Sequence, residues 1–300
     1  MHMRSPLFAD HSLAARIEAS ERDLVESSVR ASFERMPKRA VPGFCEPIAG
    51  GLAAYVLESS PLNKVIGLGF AGPVDPDELQ ALEQRYAAHN TSTVIELSSL
   101  AHASVLPLLG QRAYTLVGFE NVLGRRLTEV SAPQLPADIA ITRSDDSDYE
   151  AWLRVFVSAF IQPASDGQAA HQGITYEALE AIIRDMAKAD GYRRYLATRA
   201  GVTAGSGCIR LDHRAGIAQL CGAATLPEHR RHGIQNALLG ARLLDAHEAG
   251  CEIAVVTTVP GSTSQHNVQR QGFELLYCRA VLSKDGARPD VNANVTPVPS

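Results

Sequence analysis

Two stretches of this chain, residues 76–127 and 233–282, pass through the same succession of elements: a helix, a short strand, a short helix and a long strand. An element order that recurs signals a duplicated unit and limits the chain to folds built from two copies of it. In the first stretch Asp75 is placed to cap a helix opening on Pro76, where a missing N–H costs nothing. Residues 93–97 are rich in β-branched side chains and read as a strand. A short helix over 104–112 and a strand over 114–127 come next. In the second stretch Ile234, Ala237, Leu238, Ala241 and Leu244 share one face of a helix over 233–249, which Gly250 ends. A strand over 253–258, a short helix over 264–271 and a strand over 275–282 complete it. Between the stretches, residues 128–136 hold two prolines and few large apolar side chains, the composition of a linker.

Each stretch has further elements before it. Ile17, Leu24, Val25, Val29 and Phe33 lie at helical spacing over 12–36, and Pro37 and Pro42 close that helix. Residues 50–58 and 64–70 read as strands. After the linker come a strand at 139–142, helices at 148–160 and 175–189, and strands at 195–198, 205–212 and 216–226. At 300 residues and 45% hydrophobic the chain has material for two cores. Two units are therefore expected, at 1–130 and 137–285, with a disordered tail over 286–300 where three prolines occur without apolar periodicity.

A net charge of -5 offers no basic stripe for nucleic acid. The five cysteines form no Cys-x-x-Cys pair, so a disulfide framework or a metal site is not expected, and reduced, buried thiols are. The N-terminal residues lack the apolar segment of a signal peptide, and no run approaches the roughly 20 apolar residues of a spanning helix. The expected setting is cytoplasmic, with no membrane partner.

The run from Ala223 to Leu239 carries the chemistry. A strand ends at Leu226, a short loop comes after it, and a helix opens near Gly233. A helix N-terminus presents unpaired N–H groups and the positive end of the dipole, which together bind phosphate. Gly233 lets a ligand approach the backbone, and Arg230, Arg231 and His232 add charge. The same residues also suit a solvated basic helix start.

The run resembles the cofactor signature of the GNAT superfamily of N-acetyltransferases, Arg/Gln-x-x-Gly-x-Gly/Ala after a strand, with Arg230, Gly233 and Gln235 in its slots. Downstream, Val255 to Phe273 resembles the family's next strand and its Gly-Phe-terminated helix. The resemblance covers about residues 138–282, and the first half is similar to the same fold in degenerate form. It implies an α+β fold of two tandem GNAT-like domains, each a mixed, largely antiparallel sheet flanked by helices. One coenzyme A site is implied, in the second half; Gly67, Gly69 and Gly72 in the first are read as a turn.

By position the resemblance implies that Ala224, Thr225 and Leu226 offer backbone groups to the pantetheine arm of acetyl-CoA. The amides of Arg231, His232, Gly233, Ile234, Gln235 and Asn236 would cradle the pyrophosphate, beside Arg230. Ser264 or Asn267 would hydrogen-bond the cofactor, or Ser264 would cap its helix. Gln235 departs from the signature's Gly or Ala. Val268 stands where many members carry a proton-donating Tyr, which leaves Tyr277 as the candidate donor. The strand before the loop has no carboxylate, so the base is open, with Glu228, His266 and Cys221 weighed below Tyr277. Residues 162–173 would cover the acceptor as a lid or remain a surface loop.

The implied activity is transfer of an acetyl group from acetyl-CoA to a primary amine of a small molecule or peptide, by direct attack on the thioester. The competing reading is an acyl-CoA sensor without transferase activity. An aminoacyl transferase of the Fem type also has duplicated units, but it lacks the loop at 230–235. Acyl length and acceptor are open, and a monomer is expected.

Overall fold

The computed structural model describes residues 6–37, 42–161 and 175–285, without the side chains of 159–161. The elements are α1 (His11–Arg35), β1 (Phe44–Ile48), β2 (Gly51–Tyr55), β3 (Lys64–Ile66), α2 (Pro76–Ala88), β4 (Thr93–Ser98), α3 (Val105–Gln111) and β5 (Thr115–Arg126). After the linker come β6 (Ile139–Ser144), α4 (Tyr149–Ile161), α5 (Tyr176–Met186), β7 (Tyr192–Arg199), β8 (Val202–Asp212), β9 (Ile217–Thr225), α6 (Ile234–Glu248), β10 (Ile253–Thr258), α7 (Thr263–Arg270) and β11 (Glu274–Lys284). The lid loop and the tail expected from the sequence lie outside the described residues.

The strands form one sheet in the order β1-β2-β3-β4-β11-β5-β10-β9-β8-β7-β6. Among the described residues, only β3 with β4 and β9 with β10 run parallel. The repeat read from the sequence appears as α2-β4-α3-β5 and α6-β10-α7-β11. The two copies do not form separate sheets. β11, the last strand of the second copy, pairs with β4 of the first, and β5, the last strand of the first, pairs with β10 of the second. The crossed strands pair with each other along the seam. They also fill each other's cores: Leu123 of β5 and Leu127 just after it pack with Leu238 and Phe273, and Leu282 of β11 packs with Leu79 and Ile95.

Helix α1 lies across this seam. Asp10 caps it, accepting from Leu13 N at 2.8 Å. Its Ser20 hydroxyl donates to Asp212 at 2.8 Å, and Arg210 donates to the Ser20 carbonyl at 2.9 Å. At its far end Arg35 forks onto the fully buried Asp185 of α5. At the centre, Arg279 of β11 is completely buried and donates to Glu18 at 2.8 Å and to Glu21 at 2.5 Å. A buried cation of this kind is tolerated only when paired and hydrogen-bonded.

Two local differences from the sequence reading have clear causes. Residues 64–70 were expected as one strand, but β3 stops at Ile66 because Gly67 and Gly69 take φ of 65° and 85° and turn the chain. β1 was not foreseen; it contains Pro47, which is compatible with a strand at the sheet edge.

Replacing Arg279 with Met should strip two carboxylates of their partner and cost about 3–5 kcal/mol, read as a lowered urea midpoint. Combining it with Glu18→Gln should cost less than the sum of the single changes. Additive losses would mean that the pair does not hold α1 to the seam.

Candidate functional site: a splayed strand pair

β9 and β10 are parallel neighbours at three positions only, Ile217 with Ile253, Ala218 with Ala254, and Gln219 with Val255. Both strands continue, β9 to Thr225 and β10 to Thr258, but they no longer pair. The cause is an irregularity in β9. Its register against β8 jumps between Cys208–Gly222 and Arg210–Gln219, so β9 holds one residue more than β8, and Gly222 takes a φ of 139°. A bulge of this kind bends its strand and re-aims the residues beyond it.

Arg242 holds the bulge. This α6 side chain is buried, and it donates to the carbonyls of Cys208 at 3.1 Å, Gly222 at 3.0 Å and Leu238 at 3.0 Å. The sequence reading missed it. The available signal was an arginine four residues after Leu238 and four before Ala246, on the apolar face of α6.

The loop after β9 leads to the open end of the gap. Leu226 N donates to Ala204, and a short 3-10 turn spans Pro227–His229. The backbone N–H groups of Arg231, His232, Gly233, Ile234, Gln235 and Asn236 are not taken by any backbone carbonyl among the described residues. Arg231 and Gly233 both have positive φ, 65° and 85°. A Cβ at Gly233 would find only Pro136, at 3.9 Å, so the mouth of α6 stands open. Nothing acidic occupies the first turn of α6. Arg230, Arg231 and His232 are exposed beside it, and Ala224, Thr225 and Leu226 form the adjoining edge of the gap.

Two hydroxyls at the gap have no hydrogen-bond partner among the described residues: Thr225 Oγ1 at the end of β9 and Thr258 Oγ1 at the end of β10. These orphaned groups, the free amides and the bare Gly233 suit an extended ligand that carries amides and a pyrophosphate. One group intrudes. The Gln235 side chain, where the signature has Gly or Ala, donates to the Ala223 carbonyl at 3.3 Å.

The remaining sequence candidates divide. Asn267 is half-buried and Ser264 exposed on α7. Ser262, not Ser264, caps that helix, accepting from Gln265 N at 3.2 Å, because α7 begins at Thr263. Val268 is buried in the core under α6 and offers no proton. Tyr277 is not brought to the gap. It lies on β11, two strands from β10, and its buried hydroxyl donates to Glu18 at 2.7 Å. Burial, with Glu18 next, pushes its pKa far up. The Cys221 thiol, half-buried, is likewise pushed well up, by its hydrogen bond with Cys208 and by burial, which disfavours the thiolate that a nucleophile needs. Glu228 and His266 are exposed. In the first half the amides of Gly69 and Ala71 both donate to Ala49, so the turn at Gly67–Gly72 has spent groups that a phosphate would need.

Arg242→Leu should leave the bulge carbonyls unpaired at about 1–3 kcal/mol each, lower the unfolding midpoint, and weaken ligand binding in the gap. Gln235→Ala frees the Ala223 carbonyl and should leave coenzyme A binding equal or tighter by calorimetry. Weaker binding in Gln235→Ala would show that the amide holds the ligand.

Comparison with known proteins agrees with this geometry. Residues 175–273 match the family model described as Acetyltransferase (GNAT) family. No curated protein matches the chain. Among solved structures, a GCN5-related N-acetyltransferase from Kribbella flavida superposes with a TM-score of 0.60 at 18% identity, over 87% of this chain and 96% of that one. A tandem GNAT protein from the clavulanic acid biosynthesis pathway superposes with a TM-score of 0.58 at 13% identity, over 95% of this chain and 98% of that one. At these identities the superpositions speak for the fold. No described helix is long and apolar enough to cross a membrane. Residues 175–273 thus match the GNAT acetyltransferase family, within a chain whose fold is that of a tandem GNAT protein.

Proposed function

We propose that the protein moves an acetyl group from acetyl-CoA to a primary amine, with the donor lying in the gap between β9 and β10. The parting of those strands after Gln219 and Val255, with six free amides at its open end, is the observation that supports this most directly. The pantetheine arm would run along Ala224, Thr225 and Leu226, with Thr225 and Thr258 offering hydroxyls. The pyrophosphate would sit on the amides of Arg231 to Asn236, beside Arg230. Asn267 faces the same cofactor from α7 in this reading. When bound, the donor supplies an activated thioester carbonyl. An unpaired N–H of β9 beyond Gln219 stabilises the negative charge that develops on that oxygen. With Val268 apolar, the departing thiolate takes its proton from water, which a thiol pKa of about 8.5 permits.

The first half serves as scaffold and as one wall of the acceptor pocket, and the strand exchange completes each half within one chain, which fits a monomer. The reading extends to a cytoplasmic enzyme whose acceptor is a small molecule or a peptide. An acyl-CoA sensor shares the same gap and differs only in lacking transfer.

Acetyl-CoA at about 100 times its dissociation constant should stabilise the wild type by about 2.7 kcal/mol, read as a raised melting temperature. Gly233→Asp places a carboxylate at the mouth of α6 and should abolish that shift. Release of coenzyme A thiol that rises when amines are added identifies the transferase; stabilisation without amine-dependent release identifies the sensor. An unshifted wild type refutes both.

A further inference from the structure

Around the seam, beside the Tyr277 hydroxyl, six carboxyl and cationic side chains meet on the α1 side of the sheet: Glu18 and Glu21 of α1, Lys64 of β3, Glu96 of β4, Glu120 of β5 and Arg279 of β11. Four carboxylates thus face two cations. Arg279 is committed to Glu18 and Glu21, and Lys64 donates to both oxygens of Glu96 at 3.0 Å. Glu120 is left with a longer ion pair to Arg279. Among the described residues its Oε2 has no hydrogen-bond partner, and neither has Arg279 Nη1, which is fully buried and points at it from 3.6 Å. At 26% exposure Glu120 is the most open of the six, so the cluster meets solvent there.

The register places Glu120 beside the candidate site. Asn121 pairs with Thr258 and Val122 with Thr257, so Glu120 stands one residue past the end of β10. It faces the same side as Arg279, directly opposite in the ladder. Strands lie about 4.8 Å apart, so the Glu120 backbone is about 10 Å from the axis of the β9–β10 gap. A glutamate side chain turned from Arg279 towards β10, with the amine or one water beyond it, spans that distance and comes within the hydrogen-bond reach a general base needs.

We propose that Glu120, supplied by the first half through the exchanged strand, receives the acceptor's amine and takes its proton. This rests on the reading of the β9–β10 gap as the acetyl-CoA site. An arriving ammonium passes one proton to the Glu120 carboxylate, which releases it to water. The neutral nitrogen then bonds to the thioester carbonyl carbon and the carbon–sulfur bond breaks. The nitrogen loses its second proton as the departing thiolate takes one up. Each turnover gives one amide, one thiol and one released proton. The acceptor class is therefore a cationic amine, drawn to a cluster in which four carboxyl groups face two cations.

The surroundings set Glu120's ionisation. Burial raises its pKa to about 7, Glu96 and Glu21 add to the rise, and Lys64 and Arg279 oppose it. A folded value above the ordinary 4.5 means that the folded state keeps a proton that the unfolded chain gives up. Stability contributed by Glu120 is present below that ordinary value and is lost as pH rises through about 7.

The test uses the full chain saturated with coenzyme A and titrated calorimetrically with spermidine, lysinamide and n-butylamine. The same amines are then assayed with acetyl-CoA by thiol release across pH. Glu120→Gln should keep the thermal shift with acetyl-CoA, lose amine binding, and slow transfer by about 100-fold or more. The wild-type rate should rise through about pH 7, following Glu120, and the variant should lose that step. Glu120→Asp should restore part of the activity. The melting temperature of Glu120→Gln should exceed that of the wild type above pH 7 and converge with it in acid. A variant that binds and acetylates amines as the wild type does overturns the proposal, as does a wild type that binds acetyl-CoA but none of these amines. A wild type that binds no acetyl-CoA fails at the underlying reading instead.

Discussion

A buried ion pair between Arg279 and Glu18 fixes how the two halves of this molecule meet. The guanidinium sits where the two exchanged strands lie side by side, and its partners come from α1, which also bonds to β8 through Ser20 and Asp212. One helix thereby clamps both copies of the repeat at once. A charge taken wholly out of water destabilises the fold unless its partners are in place, so the clamp and the exchange require each other. The same centre leaves Glu120 Oε2 without a hydrogen bond among the described residues, at the edge nearest the gap.

The gap has its own cause, one layer away. An extra residue in β9 breaks the ladder with β8, and Arg242 stabilises the break by donating to carbonyls on both sides of it. β9 then leaves β10 while the free amides of α6 stay at its end. A parallel strand pair has become a slot with a positive mouth, and the acyl donor is proposed to lie there. Gln235, turned onto Ala223, is a side chain that a ligand in the slot would have to move or join.

Much of this was legible in the sequence. The periodicity of Ile17, Leu24, Val25 and Val29, the Asp75-Pro76 start and the Gly250 stop gave helices that the structure places within a residue or two. The Arg230 to Gln235 run gave a loop at a helix N-terminus after a strand, as observed. Pairing was not legible, because period-2 alternation says which face is buried but not which strand lies alongside. The exchange of β5 and β11, and with it Glu120 at the seam, could be found only in three dimensions. Tyr277 misled for the same reason: its polar tip suited a proton donor, while its neighbour turned out to be a carboxylate beneath α1.

Amide hydrogen exchange with and without coenzyme A probes the β9–β10 gap as the donor site, segment by segment. Exchange should slow along β9 beyond Gln219 and at Arg231 to Asn236, with no change at Gly67 to Gly72. Protection confined to the first half, or none in either half, would contradict a donor site in the gap.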